Sequence, residues 1–209
     1  MKLFSDKLLE MIKKLNLTNI IIDRQNKRYK VEYPRHYTGG KLINVVNFLD
    51  TQVKRPDTLT KALSLQFKPV VSSDKTVLAI LAWVHKNIRY LPDSVNWKVP
   101  EYWAYTKETI EKKSGDCEDG STLIFVLSRV AGVPAKRIRI VTGNVKVKSR
   151  LVGHCWVEYT AEDLNDYILD WCYYYDISSF KMRNASSDMK NYKSYWWKAN
   201  DLRGFGVRK

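Results

Sequence analysis

Cys117, His154 and Asp170 are far apart in the chain, but together they carry the chemistry of covalent thiol catalysis. Cys117 stands in SGDCEDGSTLIFVLSRVAG, Ser114 to Gly132, where an acidic, glycine-containing turn runs into an apolar helical pattern. A cysteine in the first turn of a helix meets unpaired backbone N–H groups and the positive end of the helix dipole. Both favour the thiolate, and such positions bring a thiol from about 8.5 into the range of roughly 3.5–7.5. Asp116, Glu118 and Asp119 act against this, so the cysteine needs a cationic partner. His154 is the histidine placed to be that partner. It begins the alternating run HCWVEY, which predicts a strand with His154, Trp156 and Glu158 on one face and Cys155 and Val157 on the other. Cys155 is therefore expected to face away from the site. Asp170 ends the next strand pattern, YILD, where a hairpin would bring its carboxylate to the imidazole's other N–H. Asp163 and Asp166 are competing acids in the connection. Singly, each of the three has an ordinary structural explanation: a small buried cysteine, an edge histidine, a turn aspartate. Jointly, in this order on these elements, coincidence is a poor explanation.

The surrounding pattern must hold these residues in place. Leu8, Ile12 and Leu15 recur at helical spacing and predict an amphipathic N-terminal helix packed on the domain. NIIID and YKVEY read as short strands about the turn DRQNK, YPRHYTGG as a loop and KLINVVNFLDTQV as a short helix. RPDTLTKALSLQFKPVVSS reads as an irregular connection. SDKTVLAILAWVHKNIRYLP predicts a helix capped by Ser73 or Asp74, with Pro92 past its end. DSVNWKVPEYWAYT reads as an aromatic loop and KETIEKK as a helical turn. The cysteine helix ends at Gly132, with Pro134 beyond. Everything after it reads as strands: KRIRIVTGNVKV, GHCWVEYT and DYILDWCYYYD, the last two joined by AEDLN as a hairpin. Residues 177–209 carry mixed signals, and their YWWK cluster reads as a packed lid. Helices first and an antiparallel sheet afterwards predict an α+β fold rather than an alternating α/β one.

With 209 residues, 44% hydrophobic and 28% charged, the chain is long enough for one domain with a substantial core. A net charge of +14 would draw nucleic acid, anionic polymers or an acidic partner. The charge is spread along the whole chain, however, which favours a solvated surface over dedicated nucleic-acid binding. Cys117, Cys155 and Cys172 make a poor disulfide framework, and His36, His85 and His154 are too scattered for a metal site of their own. Charges interrupt every apolar run at the N-terminus, and no segment has the apolar length of a membrane span. The expected location is the cytoplasm, with no membrane partner.

Taken together, SGDCEDGSTLIFVLSRVAGVPAKRIRIVTG, GHCWVEY and YILDWC resemble the transglutaminase-like superfamily of cysteine enzymes. The resemblance covers roughly Thr76 to Asp176. It implies a papain-related α+β fold with the cysteine at the N-terminus of a central helix packed on an antiparallel sheet. It also implies Cys117 as nucleophile, His154 as general base and acid, and Asp170 as the orienting carboxylate. Upstream, Tyr102, Trp103 and Ala104 match an aromatic segment of bacterial transglutaminase-like cysteine proteinases. In calcium-dependent members of that group the acids flanking the cysteine help bind the ion, and Asp116 and Glu118 match them; no other cofactor is expected. The implied organisation is an N-terminal extension over 1–75, a catalytic core over 76–176 and an aromatic, basic segment over 177–209 packed on the core. The expected activity is hydrolysis of an amide bond in a protein or peptide substrate. The oxyanion would be met by the Cys117 backbone N–H and the Trp103 indole N–H, with Trp156 walling the cleft. The alternatives are glutamine transamidation through the same thioester, and a binding or structural module without catalysis. That proteinase group works in the bacterial periplasm, whereas this chain shows no export signal. An intracellular enzyme or a component of a bacteriophage particle therefore both fit.

Overall fold

The computed structural model describes residues 20–23, 28–31, 34–37, 41–67, 72–173, 183–184 and 191–206. Strands β1 (Ile20–Asp23) and β2 (Arg28–Val31) pair antiparallel, as do β3 (Pro34–Tyr37) and β4 (Lys41–Asn44). Helices α1 (Val45–Lys54), α2 (Thr58–Leu65) and α3 (Ser73–Asn87) follow. Next come β5 (Arg89–Tyr90), the short α4 (Asp93–Asn96), α5 (Thr106–Lys112) and β6 (Ser114–Gly115), which pairs in parallel with β5. The central helix α6 spans Cys117–Ala131. After it lie β7 (Ile138–Val147), β8 (Arg150–Thr160), β9 (Asp166–Leu169), β10 (Arg183–Asn184), β11 (Tyr192–Ala199) and β12 (Gly204–Gly206). The main sheet runs β1-β2-β12-β11-β7-β8-β9-β10, and its pairings are antiparallel. The α+β expectation holds.

Helix α6 is buried all round from Glu118 to Ser128, with Leu123, Ile124, Phe125, Val126 and Leu127 fully inaccessible. A helix apolar on every side must be enclosed. Here α1, α2, α3 and α5 cover it on one side and β7 and β8 on the other. It ends at Gly132, whose φ of 109° suits glycine, and the Val133 amide returns to the Ser128 carbonyl. Arg129 then ties this end of the helix to Asp201 through two hydrogen bonds of 2.9 Å.

The sheet has two apolar faces. Ile138, Ile140, Cys155, Val157, Tyr159 and Leu169 pack in the core with α6. Val141, Val145, Trp156 and Ile168 form a second cluster with Tyr173, Tyr192 and Tyr195. The alternation predicted along HCWVEY is thus realised, with Cys155 and Val157 in the first cluster and Trp156 in the second.

Several local expectations are corrected. YPRHYTGG is not all loop, because Pro34–Tyr37 pairs with Lys41–Asn44; the first four residues of KLINVVNFLDTQV are thereby strand, and the helix starts at Val45. The irregular connection contains α2, capped by Asp57, whose Oδ1 accepts from the Leu59 and Thr60 amides. Its buried face includes Thr60 and Ser64, so the hydrophobic period is weak. The cap of α3 is Ser72, one residue earlier than expected. Asp74 instead accepts from Tyr159 Oη at 2.6 Å, joining α3 to the sheet. Part of the aromatic loop is helix α4. The expected N-terminal helix and residues 24–27 of the turn DRQNK lie outside the described residues; Asp23, the first residue of that turn, ends β1. Among the described residues, no helix is long and apolar enough to cross a membrane.

Candidate active site

Cys117 occupies the first position of α6. The turn before it is held by Asp119, whose Oδ1 accepts from the Ala104 amide at 2.9 Å and whose Oδ2 accepts from the Asp116 amide at 3.4 Å. Trp171, just past β9, packs on this first turn, and its indole N–H donates to the Cys117 carbonyl at 3.4 Å. The approach requires Gly120, since a Cβ there would fall 2.1 Å from the Trp171 ring.

The thiol of Cys117 donates to Glu118 Oε2 at 3.2 Å and makes no hydrogen bond to His154. Burial pushes the thiol well above its ordinary range, and the charges of Glu118 and Asp116 add to the effect. Helix-end stabilisation is therefore outweighed locally by burial, with the acids of the same motif adding to it. All three cysteines are free thiols.

On the sheet side, His154 Nε2 lies 2.7 Å from Asp170 Oδ2. Asp170 is completely buried. Its Oδ2 also accepts from Tyr192 Oη at 2.7 Å, and its Oδ1 accepts from the Cys172 amide at 2.9 Å. Burial alone would raise this carboxyl. The His154 charge and the hydrogen bonds from His154, Tyr192 and Cys172 outweigh it and hold the group below the usual carboxylate range. The imidazole is flanked by Trp156, at 6.1 Å between centroids and 19° between planes, and by Tyr173 at 4.9 Å.

A cavity of about 190 Å³ brings the two sides together, with Cys117, Glu118, Glu101 and Trp103 on one side and His154 and Gly153 on the other. Cys155 lines it as well, contrary to the expectation from alternation, because α6 packs on the Cys155 face of β8. Trp156 shares the His154 side of the strand as expected, but is buried in the outer cluster instead of walling this cavity. The wall is Trp196 from β11, whose ring would lie 3.0 Å from a Cβ on Gly153. The Trp103 indole N–H donates to Glu101 Oε1 at 3.1 Å.

Beside the cysteine, acids converge. Ligand atoms of Asp93, Glu101 and Glu118 lie within 4.8 Å of one another, as do those of Asp93, Asp116 and Asp119. Asp93 Oδ1, Asp116 Oδ1 and Glu118 Oε1 are buried and receive no N–H or hydroxyl donor from the described residues. Burial raises Asp93 to about 7, with the charges of Asp116 and Glu101 adding and the Tyr102 amide opposing. Burial also raises Asp116, Glu118 and Asp119. Asp93 and Glu101 were not legible as site residues, since they come from a loop and a short helix remote from the motif. Tyr192 and Trp196 were missed for the same kind of reason.

The fold is similar to that of LapG from Legionella pneumophila in three solved structures. The EGTA-treated one gives a TM-score of 0.55 at 17% identity, covering 78% of this chain and 86% of that one. A second LapG structure gives 0.55 at 17%, covering 78% and 88%. The calcium-bound one gives 0.55 at 16%, covering 78% and 87%. No curated protein gives a significant match. A sequence profile described as the transglutaminase-like superfamily matches residues 61–175, more than half of the chain. The chain belongs to the transglutaminase-like superfamily.

Proposed function

We propose that the protein is a cysteine-dependent amide hydrolase acting on a protein or peptide, with Cys117 as nucleophile, His154 as base and acid, and Asp170 as orienting group. The observation that carries this reading is the hydrogen-bonded pair of His154 and the fully buried Asp170, whose imidazole shares a cavity with Cys117 at the start of α6. Asp170 engages Nε2, so Nδ1 is the nitrogen that exchanges protons with the cleft. For reaction, the thiol leaves Glu118 and turns to His154. Its proton passes to Nδ1 and Sγ attacks the substrate carbonyl. The Cys117 amide, at the first position of the helix, is one of the donors without an intrahelical acceptor and is available to the oxyanion. The imidazolium returns its proton to the leaving amine as the C–N bond breaks, which leaves a thioester. Water attacks next, losing a proton to Nδ1. The acid product departs and the thiol is restored.

Asp93, Glu101, Asp116 and Glu118 suit a hard divalent cation such as calcium: every donor is oxygen, and three buried oxygens lack an N–H or hydroxyl donor from the described residues. One of the LapG structures that share this fold is calcium-bound. Calcium held there would supply the positive charge that lets these acids ionise together. Glu118 is common to this cluster and to the thiol hydrogen bond, so its position links the two.

The test is iodoacetamide alkylation in calcium-containing buffer, mapped by mass spectrometry. Cys117 is expected to react at least about tenfold faster than Cys172, and His154→Ala is expected to remove the advantage. Equal rates at Cys117 and Cys172 in the wild type would overturn the reading.

A further inference from the structure

Asp170 Oδ2 carries two hydrogen bonds of equal length, one to His154 Nε2 and one from Tyr192 Oη, both 2.7 Å. Tyr192 begins β11, which lies outside the matched family segment and reaches the site by pairing with β7, Tyr192 opposite Val145. Its ring packs edge-on against Trp156 at 5.0 Å between centroids, and Trp156 is the ring lying parallel to His154. A phenol beside a carboxylate donates. The hydroxyl therefore does two things at once. It supplies one of three donors that let a fully buried carboxylate stay charged, and it fixes which oxygen faces the imidazole. Fixing that oxygen fixes the Nε2–H tautomer and the ring plane.

We propose that Tyr192 is a positioning residue for the His154–Asp170 pair, holding the carboxylate so that the imidazole presents Nδ1 to Cys117. The proposal rests on the thiol-hydrolase reading. Among the described residues, the polar groups around the imidazole include Asp170, Cys172 and Tyr173 after β9, Tyr192 from β11, and Thr142, Cys117, Glu118 and Glu101 lining the shared cavity. Among the hydrogen bonds to Asp170 from the described residues, that of Tyr192 is the side-chain donor besides His154.

Tyr192→Phe keeps the ring against Trp156 and removes only the hydroxyl. Two readouts are taken on the full chain in calcium-containing buffer. One is the low-field proton NMR signal of His154 Nε2–H, assigned by its loss in His154→Gln. The other is the rate of Cys117 alkylation at neutral pH. In Tyr192→Phe the signal is expected to move and exchange faster with water, and alkylation to slow by about tenfold, the worth of one hydrogen bond to a charged group. Tyr195→Phe, on the same strand, is expected to change neither. Incorporating 3-fluorotyrosine at position 192, an isosteric change with a more acidic phenol, is expected to move the signal in the opposite direction; this keeps the test available if Tyr192→Phe folds poorly. A reactive wild-type Cys117 with neither readout changed by either replacement overturns the proposal and leaves the hydrolase reading standing. A wild-type Cys117 no faster than Cys172 overturns the hydrolase reading, and this proposal with it.

Discussion

On the sheet side of the cleft, both oxygens of Asp170 are engaged, and His154 is held between two aromatic rings. On the helix side, Asp93, Asp116 and Glu118 each bury an oxygen that receives no N–H or hydroxyl from the described residues, and the thiol is turned to Glu118. Both regions bury carboxyls, yet burial has opposite outcomes. Asp170 is held below the ordinary carboxylate range because its donors outweigh burial, whereas Asp93, Asp116 and Glu118 are pushed up by burial, with the charges of neighbouring acids adding to it. The His154–Asp170 pair is thus held in place by its donors, while the acids beside Cys117 raise one another.

The largest effect that would break this contrast is on the sheet side. Asp170→Ala leaves Tyr192 Oη, the Cys172 amide and His154 Nε2 without their shared acceptor. Urea unfolding is expected to show a loss of about 3–5 kcal/mol, as for a buried pair stripped of one partner. A loss below about 1 kcal/mol would mean that the pair is not the rigid half of the site. The next effect is on the helix side. Calcium at about 100 times its dissociation constant is expected to stabilise the protein by about 2.7 kcal/mol, read as a rise in melting temperature. Glu118→Gln should cancel that gain while stabilising the calcium-free protein, because it removes one of the crowded acids. Gly120→Ala tests the packing between the two sides. A methyl group there pushes Trp171 off the first turn of α6, and the expected cost is about 1–3 kcal/mol.

The smallest effect is the pH dependence, whose sign separates the two regions. Acids with raised folded-state pKa values take up protons on folding. The calcium-free protein should therefore lose stability as pH rises from about 4 through the Asp93 value of about 7. Asp170, being depressed, contributes stability that is present above about 4 and is lost only on further acidification. Asp93→Asn should flatten the slope near neutrality; thermal melts across this range would show whether it does.

Much of the sheet side was legible in the sequence because strand alternation and hairpin order are local signals. His154 on β8 and Asp170 just past β9 are where HCWVEY and YILD place them. Alternation gives the face of a strand and not the depth. Trp156 therefore has the right side and the wrong neighbours, while Cys155 enters the cavity from the helix side. Tyr192 and Trp196 were not legible, because nothing local in YKSYWWKA says that it pairs with β7 some fifty residues earlier. Asp93 and Glu101 were hidden likewise: nothing local in the aromatic stretch that carries them says that it folds back to the acids beside Cys117. Helix α2 escaped notice because part of its buried face is polar, with Thr60 Oγ1 2.9 Å from Thr106 Oγ1.

The central claim, that His154 activates Cys117, is tested most directly by the pH dependence of Cys117 alkylation in calcium-containing buffer, in the wild type and in His154→Gln. The account predicts a wild-type profile whose midpoint lies well below the ordinary thiol value of about 8.5, and a His154→Gln profile displaced to higher pH. Superimposable profiles for the two proteins would contradict it.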